Sequence, residues 1–152
     1  MKLFRHGAPG QEHPGLLDAQ GLLRDLSGVV DDITGRTLAG EALQSLRALD
    51  ASQLPVLPAD TRIGPCVAQV GNFIGLGLNF ADHAAEAKLP IPEYPLVFNK
   101  APSCIAGARD PLRLSPGSRE VDYEVEMAIV LCRDAWQVGE EQALDCVGGY
   151  CL

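Results

Sequence analysis

At 152 residues, with 47% hydrophobic and 5% aromatic content, the chain carries enough apolar material to bury the core of one ordinary domain. A net charge of −8, a pI near 4.7 and no cluster of Lys or Arg exclude a phosphate-backbone surface, so nucleic acid is not an expected partner. No stretch approaches ~18 consecutive apolar residues and the start Met1-Lys-Leu-Phe-Arg-His-Gly7 lacks an apolar secretory core, so no membrane partner is expected and the expected location is the cytoplasm.

In chain order, Lys2–His6, Gly15–Asp18 and Leu22–Leu26 read as short strands broken by Gly-Gln, His-Pro and Ala-Gln-Gly, the last two forming a hairpin. Leu38, Ala42, Leu43, Leu46 and Leu49 recur at helical spacing and predict an amphipathic helix over 39–50. Pro55, Pro58 and Pro65 mark an extended connector, which places a small N-terminal α/β domain at 1–65 and a main domain at 66–152.

From Cys66 to Leu78 the run is apolar with glycines, as in a buried strand pair or a kinked strand. Asn79 is a candidate N-cap for a helix over Phe80–Lys88, with Asp82 in its first turn and Pro90 stopping it. Gly75-Leu-Gly77-Leu-Asn-Phe80 begins like a dinucleotide fingerprint but has Phe80 where Gly or Ala is required. Pro95–Lys100 and Leu112–Leu114 read as strands, Glu140–Val147 as a short helix and Gly148-Gly149 as a turn. Tyr150-Cys-Leu152 looks like the opening of a further strand, and a sheet left open there leads us to expect a piece of a longer chain.

Cys66, Cys104, Cys132, Cys146 and Cys151 show neither a CxxC pair nor a histidine at zinc spacing, so reduced core thiols are expected. His6 and His13 lack an acidic neighbour at ligand spacing and are given no role.

The segment Val121-Asp-Tyr-Glu-Val-Glu-Met-Ala-Ile-Val-Leu131 alternates strictly. As one strand it would place Asp122, Glu124 and Glu126 on one face and Tyr123, Val125, Met127, Ile129 and Leu131 on the other. Same-face neighbours lie roughly 6.5–7 Å apart, a gap that two glutamates bridge to a shared hard cation such as Mg2+ or Mn2+. A strand with one wet, solvated face shows the same pattern. His83 and Glu86, three apart on the predicted helix, form either a general base with its orienting carboxylate or a plain surface pair.

Four motifs in order, Ile74-Gly-Leu-Gly-Leu-Asn-Phe-Ala-Asp-His-Ala-Ala-Glu86, Pro95-Leu-Val-Phe-Asn-Lys100, Val121-Asp-Tyr-Glu-Val-Glu-Met-Ala-Ile-Val130 and Asp145-Cys-Val-Gly-Gly-Tyr150, resemble the fumarylacetoacetate hydrolase family. Gly10-Gln-Glu-His-Pro-Gly-Leu-Leu-Asp-Ala-Gln-Gly-Leu-Leu-Arg-Asp-Leu-Ser27 is similar to bacterial members acting on 2,4-dioxo acids from sugar breakdown. The resemblance implies a mainly β, roll-like catalytic domain with few short helices, present here only in its first half.

By the same resemblance, Glu124 and Glu126 hold the cation (Mg2+, Mn2+ or Ca2+) together with an Asp that would lie just past Leu152. His83 with Glu86 activates water and Lys100 meets the substrate. The implied reaction is cleavage of a C–C bond in an oxo acid by a homodimer; a hydratase, isomerase, decarboxylase or ureidoglycolate lyase shares the same motifs. A non-catalytic, partner-binding remnant is the reading from another class. Phe80 for the family's usual Tyr, Met127 for Leu and Leu131-Cys-Arg133 for an Ile-Gly-Lys type turn are departures that remove no ligand.

Overall fold

The computed structural model describes residues 1–152. Alternating apolar residues and a tight turn make the first sheet: β1 (Lys2–His6) pairs antiparallel with β2 (His13–Leu17), and β2 with β3 (Leu23–Asp25) through Leu17↔Leu23. The β2–β3 turn is closed by Asp18, whose carboxylate accepts hydrogen bonds from the backbone N–H groups of Gln20 and Leu22 at 2.9 and 2.8 Å and from Arg24 Nε at 2.8 Å. Helix α1 (Gly40–Ala48) has the expected apolar face, with Leu46 buried. Leu46 joins Leu16, Leu26, Ile33 and Leu38 in the core, flanked by Leu3, Leu43 and Leu49.

Four more strands and two short helices follow. They are β4 (Phe73–Gly77), α2 (Ala81–Glu86), β5 (Leu96–Lys100), β6 (Ala128–Leu131), α3 (Glu140–Ala143) and β7 (Val147–Cys151), with β4 antiparallel to β5 and β6 to β7. The fold is mainly β, with three small sheets and a few short helices. No helix is long and apolar enough to cross a membrane.

The chain forms two compact units, one of Met1–Ala68 with Ala106–Leu152 and one of Gln69–Ile105. In the first, Val130 and Cys132 pack on the N-terminal core. Gly148 of β7 lies against the same layer, where an added Cβ would come within 2.8 Å of both Leu38 Cβ and Cys132 Cβ. Gly148→Val is therefore expected to overpack this joint and destabilise the protein by about 1–3 kcal/mol, read as a lowered urea midpoint.

A chain of ion pairs ties distant segments of this unit. Arg62 holds Asp110 through Nε and Nη2 at 2.8 and 2.6 Å and Glu12 through Nη1 at 3.0 Å, while Arg5 holds Asp32 through Nε and Nη2 at 2.7 and 2.9 Å. The Arg62 hydrogen bonds and the Gly107 N–H hold the Asp110 carboxyl below its ordinary range. At Glu12, burial by itself raises the carboxyl, but the Arg62 hydrogen bond, two backbone N–H groups and the Arg5 charge outweigh it and the net direction is down. A carboxyl depressed in the folded state contributes stability above its unfolded value and loses it as pH falls through the folded one. Asp110→Asn is thus expected to lower stability at pH 7 and to flatten its decline on acidification, measured as urea midpoints between pH 7 and 3.

Several sequence expectations differ in detail. Leu112–Leu114 forms no strand, because no segment pairs with it, and Val67–Asn72 stays irregular ahead of β4. Gly148 and Gly149 lie within β7 instead of a turn, since their lack of side chains suits close packing as well as turning. The helix expected over Glu140–Val147 stops at Ala143 and tightens into a single 3-10 turn, Leu144–Cys146. All five cysteines are free. Cys146 is buried, whereas Cys104 is exposed and so is no core thiol. Burial first, and then the neighbouring Cys151 thiol, push the Cys66 thiol up to about 11, which keeps it protonated and unreactive at neutral pH.

Candidate active site

Strand alternation and register build the Lys100 end of the site. Phe98 and Lys100 share a face of β5, and Phe73 stands directly opposite Lys100 across the β4–β5 pair. The Lys100 ammonium consequently sits 5.8 Å from the centroid of each ring, a cation–π seat that holds a flexible side chain in place. The far end of the Phe98 ring in turn lies against Gly75, its register partner, where an added Cβ would meet three ring carbons closer than 3.0 Å. Gly75 and Gly77 are thus strand residues and not a phosphate-cradling turn. Gly75→Ala is expected to lift the Phe98 ring and release one of the two seats of Lys100, weakening its hold by about 0.5–1 kcal/mol. The expected readout is a loss of the aromatic ring-current shift on the Lys100 Hε protons in NMR spectra.

Helix α2 presents the second group. Ala84 is its buried residue, which leaves His83 and Glu86 exposed on the outer side. Their spacing makes them neighbours, yet no hydrogen bond or ion pair joins them to each other or to Lys100. The cap differs from the expectation: Phe80, in extended conformation, is the N-cap without a side-chain bond, and Asp82 receives the His83 N–H at 2.9 Å. Asn79 therefore caps nothing. The helix also ends at Glu86 and not at Lys88. Lys88 adopts φ +55°, and the Leu89 N–H returns to the Ala84 carbonyl at 2.9 Å, closing the last turn before Pro90 is reached.

The acidic segment belongs to the other unit. The single strand expected over Val121–Leu131 is present only as Ala128–Leu131. Register explains the difference: Ala128 stands opposite Cys151, and no strand pairs with Val121–Met127. All seven of those residues are exposed. Glu124 and Glu126 make no hydrogen bond or ion pair, so both carboxylates are uncommitted, whereas Asp122 accepts the Tyr123 N–H at 2.8 Å. No three His, Cys, Asp or Glu side chains gather into a full metal-ligating group. The donor chemistry of the pair nevertheless suits a hard cation, since Mg2+ is commonly held by one or two carboxylates with water in its other positions.

What sequence reasoning overlooked is the aromatic seat of Lys100. Its signal was present in Phe98-Asn-Lys100, two residues apart on a strand, but the partner Phe73 emerges only from the register.

Residues 72–152, more than half of the chain, match the family description "Fumarylacetoacetate (FAA) hydrolase C-terminal". The chain belongs to the fumarylacetoacetate hydrolase family. Its mainly β architecture is that of a partial domain of this family. Over all 152 residues it is 51% identical to a Burkholderia multivorans protein named "Putative hydrolase" and 50% identical to similarly named proteins of Burkholderia cenocepacia and Burkholderia ambifaria. The chain spans about half, 54%, of the length of each of these relatives. Membership in this family and the relatives' names support a hydrolase type of function.

Proposed function

We propose that the protein provides the water-activating and cation-holding residues of a divalent-metal-dependent hydrolase that cleaves a C–C bond in a 2,4-dioxo acid of the acylpyruvate or diketo-deoxy sugar acid type. The observation that carries this reading is the Glu124 and Glu126 pair: two carboxylates two residues apart, both exposed and engaged by no cation of the chain itself, within the family match. Mg2+ or Mn2+ bound there would polarise the substrate's carbonyl oxygens.

His83 takes a proton from water, and Glu86, one helical turn along the same face and unbonded to the imidazole in this structure, orients it and stabilises its protonated form once a change of side-chain rotamer brings the two together. The hydroxide adds to the acyl carbonyl carbon. When the C–C bond breaks, its electron pair moves to the enolate of the departing 2-oxo acid, which then takes up the proton. Lys100, seated between two rings, presents a fixed positive charge to the substrate carboxylate or to the enolate.

The test is a panel of 2,4-dioxo acids given with Mn2+ or Mg2+ to this chain and, in parallel, to the Burkholderia multivorans relative. The expected result is metal-dependent formation of a carboxylic acid and a 2-oxo acid in equal amounts. Hydration, isomerisation or decarboxylation of an oxo acid without C–C hydrolysis would replace the proposed reaction, and no turnover by either protein would overturn it.

A further inference from the structure

Five cysteines stand free in the chain, and the fold sorts them. Cys104 is exposed and belongs to the other compact unit. Cys132 packs on the N-terminal core, and the Cys146 thiol accepts a hydrogen bond from Arg133 Nε at 3.4 Å. That leaves Cys66 and Cys151, both half-buried.

The backbone brings these two together from distant segments. The Gly64 N–H donates to the Arg5 carbonyl at 2.8 Å and the Ala68 N–H to the Ile33 carbonyl at 2.7 Å, so the stretch around Cys66 is pinned on both sides, and Val67 packs on the N-terminal core. In the β6–β7 pair, Cys151 stands opposite Ala128. Strand alternation puts it on the side of Gly149 and its partner Val130, the side on which Val130 meets the same core. There the Cys66 S–H meets the Cys151 sulfur, and burial together with this neighbour holds Cys66 protonated. Two thiols in contact, each on a backbone held by its own hydrogen bonds, can be joined with little movement of either segment.

We propose that Cys66 and Cys151 are a reversible redox pair, oxidised by a low-molecular-weight disulfide of the glutathione type to a bridge that ties the segment leading into β4 to β7. The Cys151 thiolate attacks one sulfur of the glutathione disulfide, forming a mixed disulfide and releasing one glutathione thiolate. Cys66 is the resolving thiol. Its sulfur, on losing its proton, attacks the Cys151 sulfur and expels the second glutathione thiolate, so the two protein thiols give up two electrons and two protons and one glutathione disulfide becomes two glutathione thiols. The bridge closes a loop of about 85 residues and so restricts the unfolded chain strongly. This inference is independent of the catalytic reading above.

The test equilibrates the 152-residue chain in glutathione buffers from reducing to oxidising, traps free thiols with iodoacetamide and reads intact mass and protease fragments by mass spectrometry. In oxidising buffer the expected product has lost two hydrogens, carries three alkylated cysteines and yields a cross-linked Cys66–Cys151 fragment, roughly tenfold or more above any other cysteine pair. Reduction is expected to reverse it, and the oxidised chain is expected to unfold at a higher urea midpoint than the reduced one. Cys66→Ser is expected to stop at a stable glutathione adduct on Cys151, and Cys151→Ser to leave Cys66 a free thiol. Five alkylated cysteines at every buffer ratio, a cross-link between other cysteines, or a parent chain that stops at the glutathione adduct would each overturn the proposal. So would an oxidised midpoint below the reduced one, since the bridge would then form only in a distorted chain. Should a variant fail to fold, the fragment map of the parent chain decides the question.

Discussion

Replacing both Glu124 and Glu126 by Gln is expected to weaken Mn2+ binding by more than tenfold, read by calorimetry or by the loss of free Mn2+ signal in EPR, and to lower kcat on the 2,4-dioxo acid by roughly 10²–10³. A divalent cation polarising a carbonyl supplies several kcal/mol of transition-state charge stabilisation, and each ~1.4 kcal/mol is tenfold in rate. Glutamine keeps the shape and the hydrogen-bonding oxygen but removes the charge that a hard cation requires. Both side chains are exposed and bonded to nothing else in the protein, so the melting temperature without metal is expected to stay within a degree or two. A double variant that binds Mn2+ as tightly as the parent would remove Glu124 and Glu126 from the site.

The second large effect belongs to His83. A positioned general base contributes typically about 10²–10⁴-fold, so His83→Gln is expected to lower kcat by that factor while KM and Mn2+ affinity change little. The side chain is exposed on α2 and its ring takes part in no bond that holds the helix, which separates a chemical loss from a folding loss. Glu86→Gln acts through the imidazole and is expected to cost less, about tenfold. A His83→Gln variant with unchanged kcat would assign water activation elsewhere.

Local pattern carried the N-terminal half well. Alternation located β1, β3 and most of β2, although His13-Pro14, read as a breaker, opens β2, where Pro14 is buried; the leucine spacing located α1 and its apolar face, of which Leu46 is buried and Ala42 is exposed, because each of these elements meets its partner within a few tens of residues. The same reasoning overran where partners are absent or distant. Val121–Leu131 alternates over eleven positions, but a strand exists only where a neighbour supplies hydrogen bonds, and β7 supplies them only to Ala128–Leu131. Asn79 has good capping chemistry, yet the backbone turns into the helix one residue later, at Phe80.

Among the candidate catalytic groups, residue type and spacing offered the Glu124 and Glu126 pair and the His83 and Glu86 pair, each beside a plain surface reading, while Lys100 and the role of every group came from the resemblance to the family. Membership in the fumarylacetoacetate hydrolase family rests on motif order, which is likewise a property of the chain read end to end. Three-dimensional packing alone settled two other matters: Lys100 is seated by Phe73 and Phe98 over Gly75, and Arg62 joins Glu12, 50 residues before it, to Asp110, 48 residues after it. Each depends on register or on contacts between segments far apart in the chain, and a one-residue shift of register turns every side chain to the opposite face without changing a letter of the local pattern.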